Sequence, residues 1–185
     1  MREELKAAGL RLLRDGGLDA LKMRDAAIAA GYSAAAPYQV TFFRRHGIVG
    51  LRAVVAEGGF ELLCSELSRV RASDPQQRVL RLAVRYTRFA QGNPDLYRVM
   101  FNADVADRSA FPDLGMFVSQ AYGMFRRAVS ELPKAPDVDV DELTLAITLL
   151  LHGWSEELIN NWIVDSATES SVEARTKRMV GLLLA

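Results

Sequence analysis

The chain has 185 residues, half of them apolar, with 23 Lys and Arg balanced by 23 Asp and Glu and a single cysteine, Cys64. That length and apolar content can bury a core and exclude a disordered chain, and one cysteine has no internal disulfide partner, so a reducing, cytoplasmic setting is expected. No apolar run reaches the roughly 20 residues of a membrane span; the longest, Leu143 to His152, is bounded by Asp141-Glu142 and Glu156-Glu157, and Met1-Arg2-Glu3-Glu4 does not read as a signal peptide.

The neutral total is a cancellation. Residues 1–52 carry nine basic and five acidic side chains, a net of +4, so the remaining 133 residues carry −4. Between Asp25 and Glu57 lie 31 residues without a carboxylate, and Arg44, Arg45, Arg52 and His46 fall inside that gap. A phosphate backbone attracts Arg and Lys and repels carboxylates, so this is the footprint of a small DNA-facing module; the competing reading is chance clustering on a solvated face.

Leu5, Ala8, Leu12 and Leu13 keep helical spacing, and Gly16-Gly17 ends that helix. Leu18, Ala20 and Leu21 lead into a second, small-residue helix from Met23 to Ala30, stopped by Gly31. Ser33 is a good N-cap for a third helix, Ala34 to about Val40, with Pro37 in its first turn. Two short helices across a Gly-x-Ser turn, behind a supporting helix, make a helix-turn-helix layout.

The run from Leu18 to Tyr38, with Ala26-Ala27-Ile28-Ala29-Ala30-Gly31-Tyr32-Ser33 and Ala34-Ala35-Ala36-Pro37-Tyr38 in one register, resembles the DNA-binding region of the TetR family of bacterial transcriptional regulators. The resemblance implies that Ser33 caps the recognition helix, that Ala34, Ala35 and Gln39 face base edges, and that Tyr38 touches a phosphate. The alternative for Tyr38 is a half-buried ring that seals the module. It further implies a DNA-binding set of Lys22, Arg24, Ser33, Ala34, Ala35, Pro37, Tyr38, Gln39, Arg44 and Arg45. Lys22 stands where the family usually has a capping Thr. The family's Tyr-x-His-Phe-x-x-Lys pattern is altered from Gln39 to Gly47: Phe42 or Phe43 takes the core phenylalanine place, and Arg44, Arg45 or His46 replaces the phosphate-binding lysine.

Helix starts continue along the chain. Asp74-Pro75, Asn93-Pro94 and Phe111-Pro112-Asp113 open helices, and Asp139-x-x-Glu142 and Ser170-x-x-Glu173 read as capping boxes for the last two. Val79, Leu82, Ala83, Tyr86 and Phe89 give one buried helical face, and no convincing strand pattern occurs. An all-α chain is expected, with a helix-turn-helix domain over residues 1–47 and a helical effector-binding and dimerisation domain over 48–185. The stretch from Phe89 to Phe101 and Leu151-His152-Gly153 resemble segments in one branch of TetR C-terminal domains.

Phe89, Tyr97, Met100, Phe101, Met116, Phe117, Tyr122, Met124 and Phe125 concentrate aromatic and thioether groups in the middle third. Such a set is either plain core or the wall of a pocket for a small apolar molecule, and the resemblance favours the pocket. The helix from Leu143 to Leu151 is apolar nearly all round, so a second subunit is expected to cover it. Resemblance places Leu145, Leu149, His152 and Trp154 with Met179 and Leu183 of the last helix in a four-helix dimer interface. His152 is then an interface or core histidine, or an effector contact.

With His46 and His152 over a hundred positions apart, no phosphate loop and no nucleophile elbow, neither a catalytic centre nor a metal or cofactor site is expected. The expected function is a homodimeric, ligand-responsive regulator, most simply a repressor, binding a palindromic double-stranded DNA operator and released by a small apolar effector. The alternative is a dimeric ligand-binding protein of the same fold without specific DNA binding.

Overall fold

A computed structural model describes residues 1–107, 109–133, 139–162 and 169–185, and among them every regular element is helical. In chain order these are α1 (Arg2–Gly16), α2 (Met23–Ala29), α3 (Thr41–Ser68), α4 (Pro75–Gly92), α5 (Pro94–Met100), α6 (Pro112–Ser130), α7 (Val140–Asn160) and α8 (Glu169–Leu183). Short 3₁₀ turns occupy Leu18–Ala20, Ala36–Gln39 and Ala103–Val105.

The stop and start signals act as their chemistry dictates. Gly17, at φ 68°, closes α1 by donating its N–H to the Leu13 carbonyl at 2.9 Å. After α2 the Gly31 N–H donates to the Ile28 carbonyl and the Tyr32 N–H to the Ala27 carbonyl, the paired bonds of a Schellman stop, with Gly31 at φ 84°. The Asp74 carboxylate accepts the Gln77 N–H at 2.7 Å, and Asp139 accepts those of Asp141 and Glu142. Helix α8 begins at Glu169, one residue before the expected Ser170 cap, and the Ser170 side chain lies outside the described residues.

Two compact units form. The first joins Met1–Leu62 with Asn93–Val118, so it takes in more chain than residues 1–47; the second joins Leu63–Gly92 with Ser119–Ala185. In the first, α1 buries Leu5, Ala8 and Leu13, and α3 buries Leu51, Val54 and Val55. Gly9 is where the two helices meet: a Cβ there would collide with the Val55 side chain. Above that crossing, Arg2 donates to Glu57 at 2.5 Å and Lys6 to Glu61 at 2.8 Å. Glu57 is 1% exposed, and its Oε2 has no hydrogen-bond partner among the described residues. Burial pushes its carboxyl above the usual carboxylate range, and the neighbouring Arg2 opposes that only in part. Burial also acts to lower Lys6, but its bonds to Glu61 and Glu3 prevail and hold the amine above its ordinary value.

In the second unit, α4, α7 and α8 share a polar joint inside an apolar core. The Trp154 Nε1–H donates to Thr176 Oγ1 at 2.9 Å, Thr176 bonds back to the Val172 carbonyl, and Thr87 Oγ1 lies 3.5 Å away. Tyr86 and Phe125 meet edge to face with centroids 6.1 Å apart.

Candidate nucleic-acid interface

The surface that the sequence singles out belongs to the first unit and runs from α2 through the Gly31 turn to the start of α3. The expected recognition helix over Ala34 to Val40 is instead a single 3₁₀ turn, Ala36–Gln39. Its backbone bonds all span three residues: Ala36 to Ser33 at 3.0 Å, Tyr38 to Ala35 at 3.2 Å and Val40 to Pro37 at 3.0 Å. Pro37 lacks an N–H, so it cannot donate a four-residue bond to the Ser33 carbonyl, which instead accepts from Ala36. Val40 is then extended at ψ 127°, and α3 starts at Thr41. Ser33 does not cap this turn with its side chain; the N-cap is Ala35, without a side-chain bond.

Ser33, Ala35, Tyr38 and Gln39 are exposed and Ala34 is partly so, whereas Pro37 is buried beneath them. Pro37 therefore shapes the turn and does not face outward as its place in the expected DNA-binding set required. Tyr38 is half exposed, at 50%, and stands away from the core, while Phe43 is fully buried and fills the core place. Phe42 packs against Phe43, His46 and Phe111 at 5.0, 5.1 and 6.2 Å. That arrangement takes His46 into an aromatic cluster and leaves Arg44 and Arg45 as the exposed cations there.

Lys22, Arg24, Arg44 and Arg45 are all exposed, and among the described residues none forms an ion pair. Arg11 and Arg14 share this state, and sequence reasoning missed them. Their signal was available, since both fall on the face of α1 away from Leu5, Ala8 and Leu13. Arg11 also donates to the Ala29 carbonyl at 3.1 Å, fixing α1 against the C-terminal end of α2. Arg2, Lys6 and Arg52 of the same region are instead paired, with Glu57, Glu61 and Asp104. The unpaired cations are thus those around the turn. Inside α3, Gly47 at φ 53°, ψ −135° breaks the helical path just after Arg44 and Arg45, a conformation that favours glycine.

The residues expected to bind an effector fall in both units. In the first, Met100 and Phe101 line a cavity of about 140 Å³ with Phe60, Val105, Leu114 and Val118, four residues that sequence reasoning missed. Tyr97 is fully buried beside Phe101, with centroids 4.6 Å apart, while Met116 is 58% exposed and Phe117 partly exposed. In the second, Phe89 and Phe125 are core residues, and Tyr122, Met124 and His152 are partly exposed. The Tyr122 hydroxyl donates to the Asp141 carbonyl at 3.2 Å.

Of the expected dimer residues, Leu145, Leu149 and His152 share one face of α7, with the two leucines 51% and 61% exposed. On α8, Leu182 and Leu183 are exposed and Met179 is partly so. Trp154 is different: it is buried inside its own subunit, held by Thr176.

The family model described as "Tetracyclin repressor-like, C-terminal domain" matches residues 79–183, more than half of the chain. The chain belongs to the TetR family. Among solved structures, a TetR transcriptional regulator from Rhodococcus sp. RHA1 matches with 20% identity and a TM-score of 0.70, covering 100% of this chain and 96% of that one. A protein of unknown function from the same organism matches at 24% and 0.78, covering 100% and 95%. The fatty acid degradation regulator FadR from Bacillus halodurans matches at 11% and 0.70, covering 100% and 94%. At these identities the likeness is one of fold. No curated protein matches the chain. No helix among the described residues is long and apolar enough to cross a membrane. This TetR chain therefore combines the family's helical architecture with a single 3₁₀ turn, Ala36–Gln39, where a recognition helix is expected.

Proposed function

We propose that this TetR chain is a dimeric, ligand-responsive repressor that sets the Ala36–Gln39 turn into the major groove of a palindromic operator. The observation that carries this reading is the group of exposed cations without ion pairs, Lys22, Arg24, Arg44 and Arg45 with Arg11 and Arg14, beside exposed Tyr38 and Gln39. In this reading the cations and the Tyr38 hydroxyl hold phosphates, and Gln39 supplies the hydrogen bonds to base edges. Ala34 and Ala35 offer only apolar contact to thymine methyls. The exposed leucines of α7 and α8 form the dimer face, and a small apolar effector enters the cavity at Met100 and Phe101. Two-fold symmetry then sets half-sites one helical turn or a multiple apart.

The test is fluorescence anisotropy with the DNA upstream of the chain's own coding region at two salt concentrations. Specific binding that weakens steeply with salt supports the proposal, and no binding at low salt overturns it. Tyr38→Ala should weaken binding to every sequence alike without lowering the melting temperature. A second reading, a dimeric ligand-binding protein of the same fold without specific DNA binding, is favoured by one observation: the recognition element is a single 3₁₀ turn. It predicts a dimer that binds effector and shows no salt-dependent DNA affinity.

A further inference from the structure

The second unit holds a cleft of about 340 Å³ whose lining includes six cations: Arg69, Arg71, Arg81, Arg85, Arg88 and Lys177. Three elements supply them. Arg81, Arg85 and Arg88 follow the i, i+4, i+7 spacing that puts side chains on one face of α4. Arg69 and Arg71 come from the chain just after α3, and Lys177 from α8. Val70 and Val84 are the apolar members of the lining.

Among the described residues, two carboxylates, Glu66 and Glu173, pair with members of this cluster. Glu66 pairs with Arg69 and, at 3.1 Å, with Arg85. Glu173 pairs with Arg88 at 2.8 Å and Lys177 at 2.6 Å. Arg71 and Arg81 have no ion pair among the described residues. Arg71 donates to the Ser68 and Val70 carbonyls, and Arg81 donates to the Arg71 carbonyl at 2.7 Å. Neutral backbone oxygens thus aim two guanidinium groups while leaving their charge, and most of their five N–H donors each, for something else. Cations gathered this closely repel one another, and an anion with several oxo groups removes that repulsion while accepting forked N–H pairs.

We propose that this cleft binds an anion of the diphosphate class, gripped by Arg71 and Arg81 and flanked by Arg85, Arg88 and Lys177. The site is independent of the DNA-binding reading, because it uses none of the residues around the Gly31 turn. A free diphosphate and a nucleoside diphosphate carry the same recognition group. They differ in whether an organic moiety adds contact with Val70 and Val84.

The test is isothermal titration calorimetry on the full chain with inorganic diphosphate, inorganic phosphate and a nucleoside diphosphate at one ionic strength near 0.15 M, about the physiological value. Diphosphate should bind about tenfold more tightly than phosphate, and Arg71→Gln with Arg81→Gln should weaken it by about tenfold or more, the loss expected for charge-assisted hydrogen bonds. Arg81→Gln alone should give part of that loss, and circular-dichroism melting should show both variants folded. Arg44→Gln with Arg45→Gln should leave diphosphate affinity unchanged. Tighter binding of the nucleoside diphosphate assigns the site to an organic diphosphate; equal binding assigns it to the free anion. No heat at millimolar diphosphate overturns the proposal. So does an affinity that survives Arg71→Gln with Arg81→Gln, or one that depends on Arg44 and Arg45.

Discussion

Two basic surfaces of this molecule use the same side chains in opposite ways. Around the Gly31 turn, Lys22, Arg24, Arg44 and Arg45 stand in solvent with no carboxylate among the described residues to hold them. In the cleft beside α4, two glutamates are each shared by two cations. A long cation without a partner stays mobile and can follow the irregular track of a phosphate backbone, whereas one held by a carboxylate or, like Arg71 and Arg81, by a backbone carbonyl is fixed in place and suits a compact ligand. The difference comes from where the acids are. Arg44 and Arg45 of the first surface lie in a stretch of 31 residues with none, and the second receives Glu66 and Glu173 from neighbouring elements.

The largest effect tests the first surface. In the proposed dimer, Arg44→Gln with Arg45→Gln removes four cations, and at about 1 kcal/mol for each phosphate that they would hold the proposed operator affinity should fall by about 1,000-fold. The salt slope should flatten by about one unit for each phosphate no longer neutralised. Arg85→Gln should leave both unchanged in anisotropy titrations, and a comparable loss there would erase the contrast between the two surfaces.

Next comes the ion pair that separates bound from unbound cations within the first unit. Arg2→Met leaves Glu57 buried and uncompensated, and should cost about 3 kcal/mol in urea unfolding, as broken buried pairs do. Glu57→Gln should cost less, because no buried charge remains. The pH dependence has a definite sign. Burial raises the Glu57 carboxyl in the folded chain, so the native state takes up a proton more readily than the unfolded state. This group's contribution to stability therefore grows as pH falls from neutrality toward the ordinary carboxylate range, and shrinks as pH rises through the folded value. Arg2→Met should enlarge that trend, and unfolding midpoints at pH 7 and pH 5 would show it.

A smaller effect is expected in the second unit, where Thr176→Val deprives the Trp154 N–H of its acceptor and should cost about 1–2 kcal/mol. Smallest is the exposed pair of Arg126 and Asp141, which bond at 2.5 Å. The hydrogen bond from Arg126 holds the Asp141 carboxyl below its usual range, so any stability it adds is present at neutral pH and lost as pH falls through that lowered value. Asp141→Asn should leave the urea midpoint where it is, because surface pairs are screened by water and salt.

The helical architecture was legible because its signals are local. Gly17 and Gly31 at positive φ, and Asp74 and Asp139 accepting backbone N–H groups, each act within a few residues of their own position. The recognition element was misjudged because its length depends on two competing local preferences. Ser33 and the alanines favour a helix, but Pro37 and the extended Val40 leave room only for a 3₁₀ turn. Met100 and Phe101 stand out in the sequence within a concentration of aromatic and thioether groups, and Val105 is four residues on, yet Phe60 of α3 and Leu114 and Val118 of α6 complete their cavity from other elements. No spacing rule connects such positions. The resemblance places Trp154 in the dimer interface, but it is buried against Thr176 of another helix, a pairing that no local signal reveals.

Pro37 also bears on the timing of recognition. Its ring fixes one backbone torsion of the Ala36–Gln39 turn in the free chain as well as in the folded one. On the proposed reading, the turn that carries Tyr38 and Gln39 would have one torsion fewer to order on meeting a duplex, so encounter should be governed more by electrostatic approach than by a slow ordering step.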